Sequence, residues 1–341
     1  MKSKTIEIKN LTIGYNGKNQ AKTVASGISA ELYSGELTCL LGANGVGKST
    51  LLKTLSAFIP KLDGEVLIKG KDIDDYTDKQ LARIIGVVLT DKCDINNITV
   101  YELVGYGRSP YTDFWGSLRK EDKEIVDEAL RMMKMESFAD RMVQNLSDGE
   151  RQKVMIAKAL AQSTPVIYLD EPTAFLDYPS KVEIMQLLHT LSRETDKTIF
   201  MSTHDIELAL QISDKAWLMD KVNGIKIGTP EDLAIDGSIG QFFARKGIAF
   251  DADTGLFRVE NECDKNIKLI GHGQMYTMIR KALYRNGINA DYHVESDDYI
   301  ETEFDSNNRV ITIHINGKTT TVNSIDELLG TLNHADTDSV R

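Results

Sequence analysis

The segment Gly42-Ala43-Asn44-Gly45-Val46-Gly47-Lys48-Ser49-Thr50 constrains this chain more than any other, because it follows the pattern G-x-x-x-x-G-K-[ST]. The apolar run Leu37 to Leu41 precedes it, and Ser49 to Phe58 follows with Leu51, Leu52 and Leu55 at helical spacing. The order is therefore strand, loop, helix. Glycines at these places let backbone N–H groups turn inward on phosphates at a helix N-terminus, where the helix dipole favours negative charge. Lys48 is placed to reach the outer phosphates and Ser49 to ligate Mg²⁺. Val166 to Leu169 and Thr198 to Met201 are further buried-strand runs, each followed by a helical pattern, as a mostly parallel sheet requires. The first forty residues alternate apolar and polar at Ile6, Ile8, Leu11 and Ile13 and again at Ile28, Ala30 and Leu32, which predicts half-buried antiparallel strands. Residues about 94 to 162 read as mainly helical.

Two further segments carry chemistry. Val166-Ile-Tyr-Leu-Asp170-Glu171 ends a strand with adjacent carboxylates, Asp170 suited to hold a metal and Glu171 to act as general base. Leu146-Ser147-Asp148-Gly149-Glu150 opens a helix, and Ser147 with Glu150 three residues on has the form of a capping box.

Phosphate loop, Ser147 segment, paired acids and the later His204 occur in an order that resembles the ATP-binding cassette ATPases over residues 1 to about 260. The resemblance implies a fold: a P-loop α/β core with a mostly parallel sheet, an antiparallel β subdomain and a helical subdomain. It also implies a role for each matching residue. Gly42, Asn44, Gly45, Gly47, Lys48, Ser49 and Thr50 would enclose the phosphates of ATP. Tyr15 would stack on adenine, Ser147, Gly149 and Glu150 would close over ATP held by a second copy, and Asp177 would lie in the loop that communicates between the two sites. Lys48, Glu171 and His204 would be catalytic. Ser49 and Asp170 would hold Mg²⁺, with Thr90 standing where the family places a glutamine that touches Mg²⁺ and water. Two places depart from the family pattern: Thr90, whose hydroxyl is too short to span that gap, and the pair Asp148 and Glu150, standing where the family commonly has a glycine and a glutamine, which add negative charge near a triphosphate unless Arg151, Lys153 or the dimer geometry offsets it.

Thr99 to Tyr111, with its Gly107-Arg108-Ser-Pro110 turn, is similar to a segment of the ATPases of importers for iron-siderophores, haem and vitamin B12. On the residues alone it is a helix ending at Gly107 with an exposed Arg-x-Pro turn. The resemblance implies an ATP-hydrolysing motor that works as a homodimer, on integral-membrane permease subunits and indirectly with a substrate-binding protein, at the cytoplasmic face of the membrane. Two other readings remain: an ABC ATPase with no permease, and a switch that serves the tail as a sensory module. A net charge of −11, from 40 basic and 51 acidic residues, argues against nucleic acid as the partner. No run of 18 apolar residues is present to cross a bilayer, and Cys39, Cys93 and Cys263 are spaced for neither disulfides nor zinc.

A polar stretch, Asn261 to Lys265, divides the chain into a cassette of residues 1–262 and a small α+β domain of residues 263–341. In the tail Ile267 to Ile270 reads as a strand. Met275, Met278, Ile279, Ala282 and Leu283 form one helix face, Val310 to Val322 a hairpin turning at Asn316-Gly317, and Ser324 with Glu327 opens a last helix. Gly271-His272-Gly273 lies between strand and helix, where a plain turn is the favoured reading of a lone G-x-G and an anion-binding loop the alternative. Residues 291 to 305 hold seven acids and no Lys or Arg, as a solvated face does.

Overall fold

A computed structural model describes residues 2–17, 21–89, 97–113, 116–243, 247–251, 255–305 and 308–338. The described chain divides into two compact units, one of residues 1–244 with 250–257 and one of residues 245–249 with 258–341.

The first unit is built on two sheets. β1 (Lys4–Tyr15), β2 (Lys22–Tyr33), β4 (Asp63–Ile68) and β5 (Lys71–Asp72) form an antiparallel sheet in the order β2-β1-β4-β5, and the alternation at Ile6, Ile8, Leu11 and Ile13 puts those side chains inside. β3 (Leu37–Gly42), β6 (Ile85–Val88), β7 (Val166–Asp170), β8 (Thr198–Thr203), β9 (Lys215–Asp220) and β10 (Gly224–Gly228) form the second, in the order β10-β9-β3-β8-β7-β6. All its pairings are parallel except the β9–β10 hairpin.

The six-stranded sheet is covered on both faces, which is why its strands read as unbroken apolar runs. On one face Leu40, Tyr168, Phe200 and Trp217 join the antiparallel sheet and Leu51, Leu52 and Leu55 of α1 (Lys48–Leu55). On the other, Leu37, Cys39, Leu41, Ile167, Leu169, Ile199 and Met201 pack with four more helices. These are α3 (Val100–Gly105), α4 (Lys120–Met132), α5 (Asp148–Ala161) and α6 (Tyr178–Glu194). The short helices α2 (Asp78–Leu81), α7 (Ile206–Ile212), α8 (Pro230–Ile235) and α9 (Ser238–Phe243) complete the unit, and β11 (Ile248–Asp251) pairs with β12 (Leu256–Val259). No described helix is long and apolar enough to cross a membrane.

In the Arg-x-Pro turn Ser109 is exposed and Pro110 partly buried, but Arg108 is not exposed. α3 ends at Gly105, a 3₁₀ turn runs from Tyr106 to Arg108, and Arg108 is buried. Its guanidinium donates to Asp122 Oδ1 at 2.9 Å, to Ala161 O at 2.9 Å and to Ser163 Oγ at 3.0 Å, and lies 4.1 Å from the Tyr111 ring centre. A planar cation with five donors can serve the end of α5 and the start of α4 together, and that satisfaction is what lets the charge sit inside.

In the second unit β13 (Lys265–Ile270) lies between β14 (Ile288–Asp291) and β15 (Tyr299–Asp305), parallel to both, and β16 (Asn308–Ile315) and β17 (Lys318–Val322) continue the sheet antiparallel. α10 (Gly273–Arg285) and α11 (Ile325–Asp338) close its core through Ile279, Leu283 and Leu328. Met278, assigned to the buried face of α10, is instead exposed, since that face is completed by Met275 and Tyr276. At α11 Glu327 N donates to Ser324 Oγ, while the Glu327 carboxylate reaches back to Asn323 N rather than Ser324 N.

Candidate functional site

The phosphate loop is the turn between β3 and α1. Gly47 stands immediately before the helix at φ 119°, and a Cβ there would come within 2.5 Å of Val24 Cγ1, so only glycine fits. The helix start has no side-chain cap and no acid in its first turn. Its N–H groups therefore face the loop as donors without an internal acceptor, the condition for holding an anion.

Lys48 is buried and folds back over the loop, donating from Nζ to Gly42 O at 2.8 Å and Ala43 O at 3.4 Å. The same ammonium is 3.7 Å from Glu171 Oε1, and Glu171 Oε2 is 3.3 Å from His204 Nδ1. Ser49 Oγ donates to Asp170 Oδ1 at 3.1 Å. β7 and β8 thus deliver Asp170, Glu171 and His204 to the phosphate loop at the carboxyl ends of their strands. Asn44, Gly45, Ser49, Lys53, Leu89, Asp170 and Glu171 line a cleft of about 420 Å³ there. Glu171 has φ 46°, a left-handed conformation that is costly for a side-chain-bearing residue and is found where a site requires it. Its amide is held by Ser202, donating to Ser202 O at 3.1 Å and Ser202 Oγ at 3.0 Å.

Tyr15 ends β1 half exposed, its hydroxyl 3.0 Å from Thr50 Oγ1, so its ring stands beside the phosphate loop. Oxygen donors at Ser49 and Asp170, few and adjacent to space for phosphate and water, are the ligand set that suits Mg²⁺. Thr90 lies outside the described residues.

A second cleft, of about 330 Å³, is lined by residues that include Ser147, Asp148, Gly149, Glu150, Phe175 and Asp177. Ser147 caps α5: its amide and hydroxyl donate to Glu150 Oε2, each at 2.8 Å, and Glu150 N donates to Ser147 Oγ at 3.3 Å. The Ser147 amide, then its hydroxyl, hold the Glu150 carboxyl below the usual range. Asp177 caps α6 through Ser180 N at 3.1 Å, and the Ser180 hydroxyl and amide hold its carboxyl low as well. Phe175, at φ 65°, stands largely exposed beside them. Lys153 pairs with Glu183 at 2.7 Å, and its charge, with that of Arg141, adds a smaller contribution to holding the Glu150 carboxyl low.

The structure brings Ser49, Asp170 and Glu171 to one cleft, with Lys48 and His204 against Glu171, and Ser147, Gly149, Glu150 and Asp177 to another. Sequence reasoning missed Ser202. Its hydroxyl donates to Asp170 Oδ1 at 2.6 Å and accepts from Glu171 N, so one side chain orients both acids. The available signal was register: in parallel strands Asp170 pairs with Ser202, two residues before His204. Thr173 and Lys181 were also unread; both bond Asp205 next to His204, at 3.0 and 2.9 Å.

Comparison with known proteins bears on both units. The family described as "ABC transporter" matches residues 25–174, and that described as "Iron ABC transporter C-terminal domain" matches residues 264–333. An uncharacterized ABC transporter ATP-binding protein of Methanocaldococcus jannaschii is 39% identical over 264 residues, 77% of this chain and 90% of the relative. The iron(3+)-hydroxamate import ATP-binding protein FhuC of Bacillus subtilis is 36% identical over 239 residues, 70% of this chain and 87% of the relative. Among solved structures, the dimeric bacterial ABC transporter cassette MJ0796 is similar with a TM-score of 0.58 and 29% identity, covering 66% of this chain and 98% of that one.

Proposed function

From the premise that this chain belongs to the ABC transporter ATP-binding proteins and hydrolyses ATP, we propose that it is the motor of an importer for an iron-siderophore, haem or cobalamin. It acts as a homodimer with two ATP at the interface, bound to integral-membrane permease subunits at the cytoplasmic face and served indirectly by a substrate-binding protein. The support for import of an iron chelate is the iron-type C-terminal domain together with a relative that carries out iron(3+)-hydroxamate import.

The observation that carries the mechanism is the Lys48–Glu171–His204 cluster over the uncapped start of α1. The α1 amides and Lys48 take the β- and γ-phosphates, and Tyr15 offers its ring to adenine. Glu171, fixed by Ser202, accepts a proton from water as the water oxygen bonds to the γ-phosphorus and the bond to the bridging oxygen breaks, giving ADP and phosphate. His204, 3.3 Å from Glu171, would contact the γ-phosphate. Ser49 and Asp170 would hold Mg²⁺, which would neutralise charge on the transferring group. Ser147 and Gly149 of the second copy close the site, and α5, whose N-terminus they form, adds its dipole to the γ-phosphate.

The test is Glu171→Gln. It retains every phosphate contact and loses the base, so hydrolysis falls by about 10²-fold or more while ATP now drives a stable dimer visible by size-exclusion chromatography. A variant that hydrolyses at the parent rate removes Glu171 from the role, and co-purification from solubilised membranes with no permease removes the importer reading.

A further inference from the structure

β8 ends at Thr203 and α7 begins at Ile206, so His204 and Asp205 make up the whole connection between them. Ile206 N donates to His204 O at 3.0 Å, and Asp205 has φ −81° and ψ 77°. That bond and those angles define an inverse γ-turn centred on Asp205. The His204 ring has little else to fix it. It is 45% exposed, and among the described residues its one polar partner is Glu171 Oε2 at 3.3 Å.

Asp205 stands at the N-cap of α7, where an aspartate ordinarily accepts from the helix's own first amides. Its side chain makes no such bond. The carboxylate is turned away instead, Oδ1 accepting from Lys181 Nζ at 2.9 Å and Oδ2 from Thr173 Oγ1 at 3.0 Å, while the Asp205 amide donates to Thr203 Oγ1 at 3.1 Å. Thr173 is buried and lies two residues after Glu171; Lys181 lies near the start of α6. The Lys181 and Asp205 side chains are both mostly buried, so salt screens this pair less than one on the open surface. A helix cap is given up, and what is gained is a γ-turn tied at once to the loop of Glu171 and to α6.

On the reading that Glu171 and His204 act in hydrolysis, we propose that Asp205 is a positioning residue for that reaction: Thr173 and Lys181 hold its carboxylate, and the residue so held fixes the turn that aims His204 at Glu171. Lys181 is the stronger of the two holds, since a bond between ammonium and carboxylate exceeds one from a neutral hydroxyl. The side-chain bonds of Asp205 run to α6 and to the loop after β7, and none to the phosphate loop. Their loss therefore acts on the chemical step and leaves ATP binding as it was.

The experiment compares Lys181→Met, Lys181→Arg and Asp205→Asn in the full-length chain, by steady-state ATP hydrolysis and by the imidazole NMR signals of the ¹⁵N-labelled protein, with the His204 signal assigned by its loss in His204→Gln. In Lys181→Met and Asp205→Asn kcat is expected to fall about tenfold, while the ATP concentration for half-maximal rate stays within about twofold of the parent. The His204 ring signal is expected to move in both, and Lys181→Arg to restore rate and signal together. Lys181→Met, at the end of a flexible side chain, keeps the test decisive if Asp205→Asn perturbs folding. Parental kcat in Lys181→Met, an unmoved ring signal, a half-maximal concentration that rises in step with the fall in kcat, or no restoration by Lys181→Arg overturns the proposal. The ring signal does not depend on turnover. If His204→Gln hydrolyses ATP at the parental rate while Lys181→Met still moves the ring, it is the catalytic reading of His204 that falls, and the hold of Asp205 on the ring stands.

Discussion

At the scale of single residues, two acids end β7 and a serine on the neighbouring strand keeps them apart in role. Asp170 receives the hydroxyls of Ser49 and Ser202, while Glu171 is turned back at positive φ and held by its own amide to Ser202. Ser202→Ala removes one bond to Asp170 and one from the Glu171 amide. A hydrogen bond to a charged group contributes about 1.5–3 kcal/mol, so kcat is expected to fall roughly tenfold or more. The ATP concentration for half-maximal rate should change little, because Ser202 bonds the acids rather than the phosphate loop. Steady-state kinetics separates the two, and a variant with parental kcat would show that the acids orient themselves. The positions of Lys48, Ser49, Asp170 and Glu171 were legible because each sits in a short pattern with a chemical reason for its spacing, whereas His204 was read only through the family resemblance. Ser202 was not, because a serine in an apolar strand carries no local signal until the strand that pairs with it is known.

At the scale of elements, the segment from α3 to the start of α4 was misread in one respect with a clear physical cause. Arginine before a proline-containing turn reads as a surface residue, since charge is ordinarily solvated. Here Arg108 instead serves Asp122, Ala161 O and Ser163, and is buried because those partners satisfy it. Asp122 also accepts from Arg119 N at 3.0 Å at the start of α4. The Arg108 guanidinium, against some opposition from burial, holds the Asp122 carboxyl below its usual range. A carboxyl with a lowered folded pKa contributes stability that is present above its unfolded value of about 3.9 and is lost as pH falls through the folded value. Asp122→Asn leaves a buried cation unpaired and is expected to cost about 3 kcal/mol at pH 7. The gap between variant and parent should begin to narrow as pH drops below about 4, where the unfolded carboxyl takes up its proton, and close only below the lower folded value, where the parent carboxyl is protonated too. Urea unfolding at the two pH values measures it, and a gap that stays constant would show that the pair contributes shape rather than charge. The helix starts, by contrast, were legible: Ser147 and Glu150 form the capping box their spacing announced.

At the scale of the whole molecule, the excess of acid has a local counterpart. Asp148, Glu150 and Asp177 line the cleft that would close over a partner's ATP, three acids against the single lysine, Lys153, that also lines it and pairs with Glu183. Like charges meeting across a dimer interface repel, and added salt screens them over about 10 Å at 0.1 M. Dimerisation of the Glu171→Gln form by ATP is therefore expected to strengthen between about 20 and 200 mM salt. Adding Glu150→Gln should improve it about fivefold at the lower concentration and flatten the salt dependence. Sedimentation across the salt series reads this, and identical slopes with and without Glu150→Gln would place the repulsion elsewhere. Strand runs and the turn chemistry of the tail could be read locally; which strand neighbours which could not, because pairing partners such as Leu37 and Ile199 are far apart in the chain.

The six-stranded sheet has one further consequence, for how such a protein changes over generations. Cys39 and Leu40 are consecutive, yet they belong to different cores, as do Leu169 and Tyr168, and Met201 and Phe200. Odd and even positions of one strand thus answer to separate selective pressures. Substitutions that refit the side packed against α3 to α6 can accumulate with little penalty on the side that supports α1 and the phosphate loop. A lineage can in this way refit that side while the support of the phosphate loop is inherited intact.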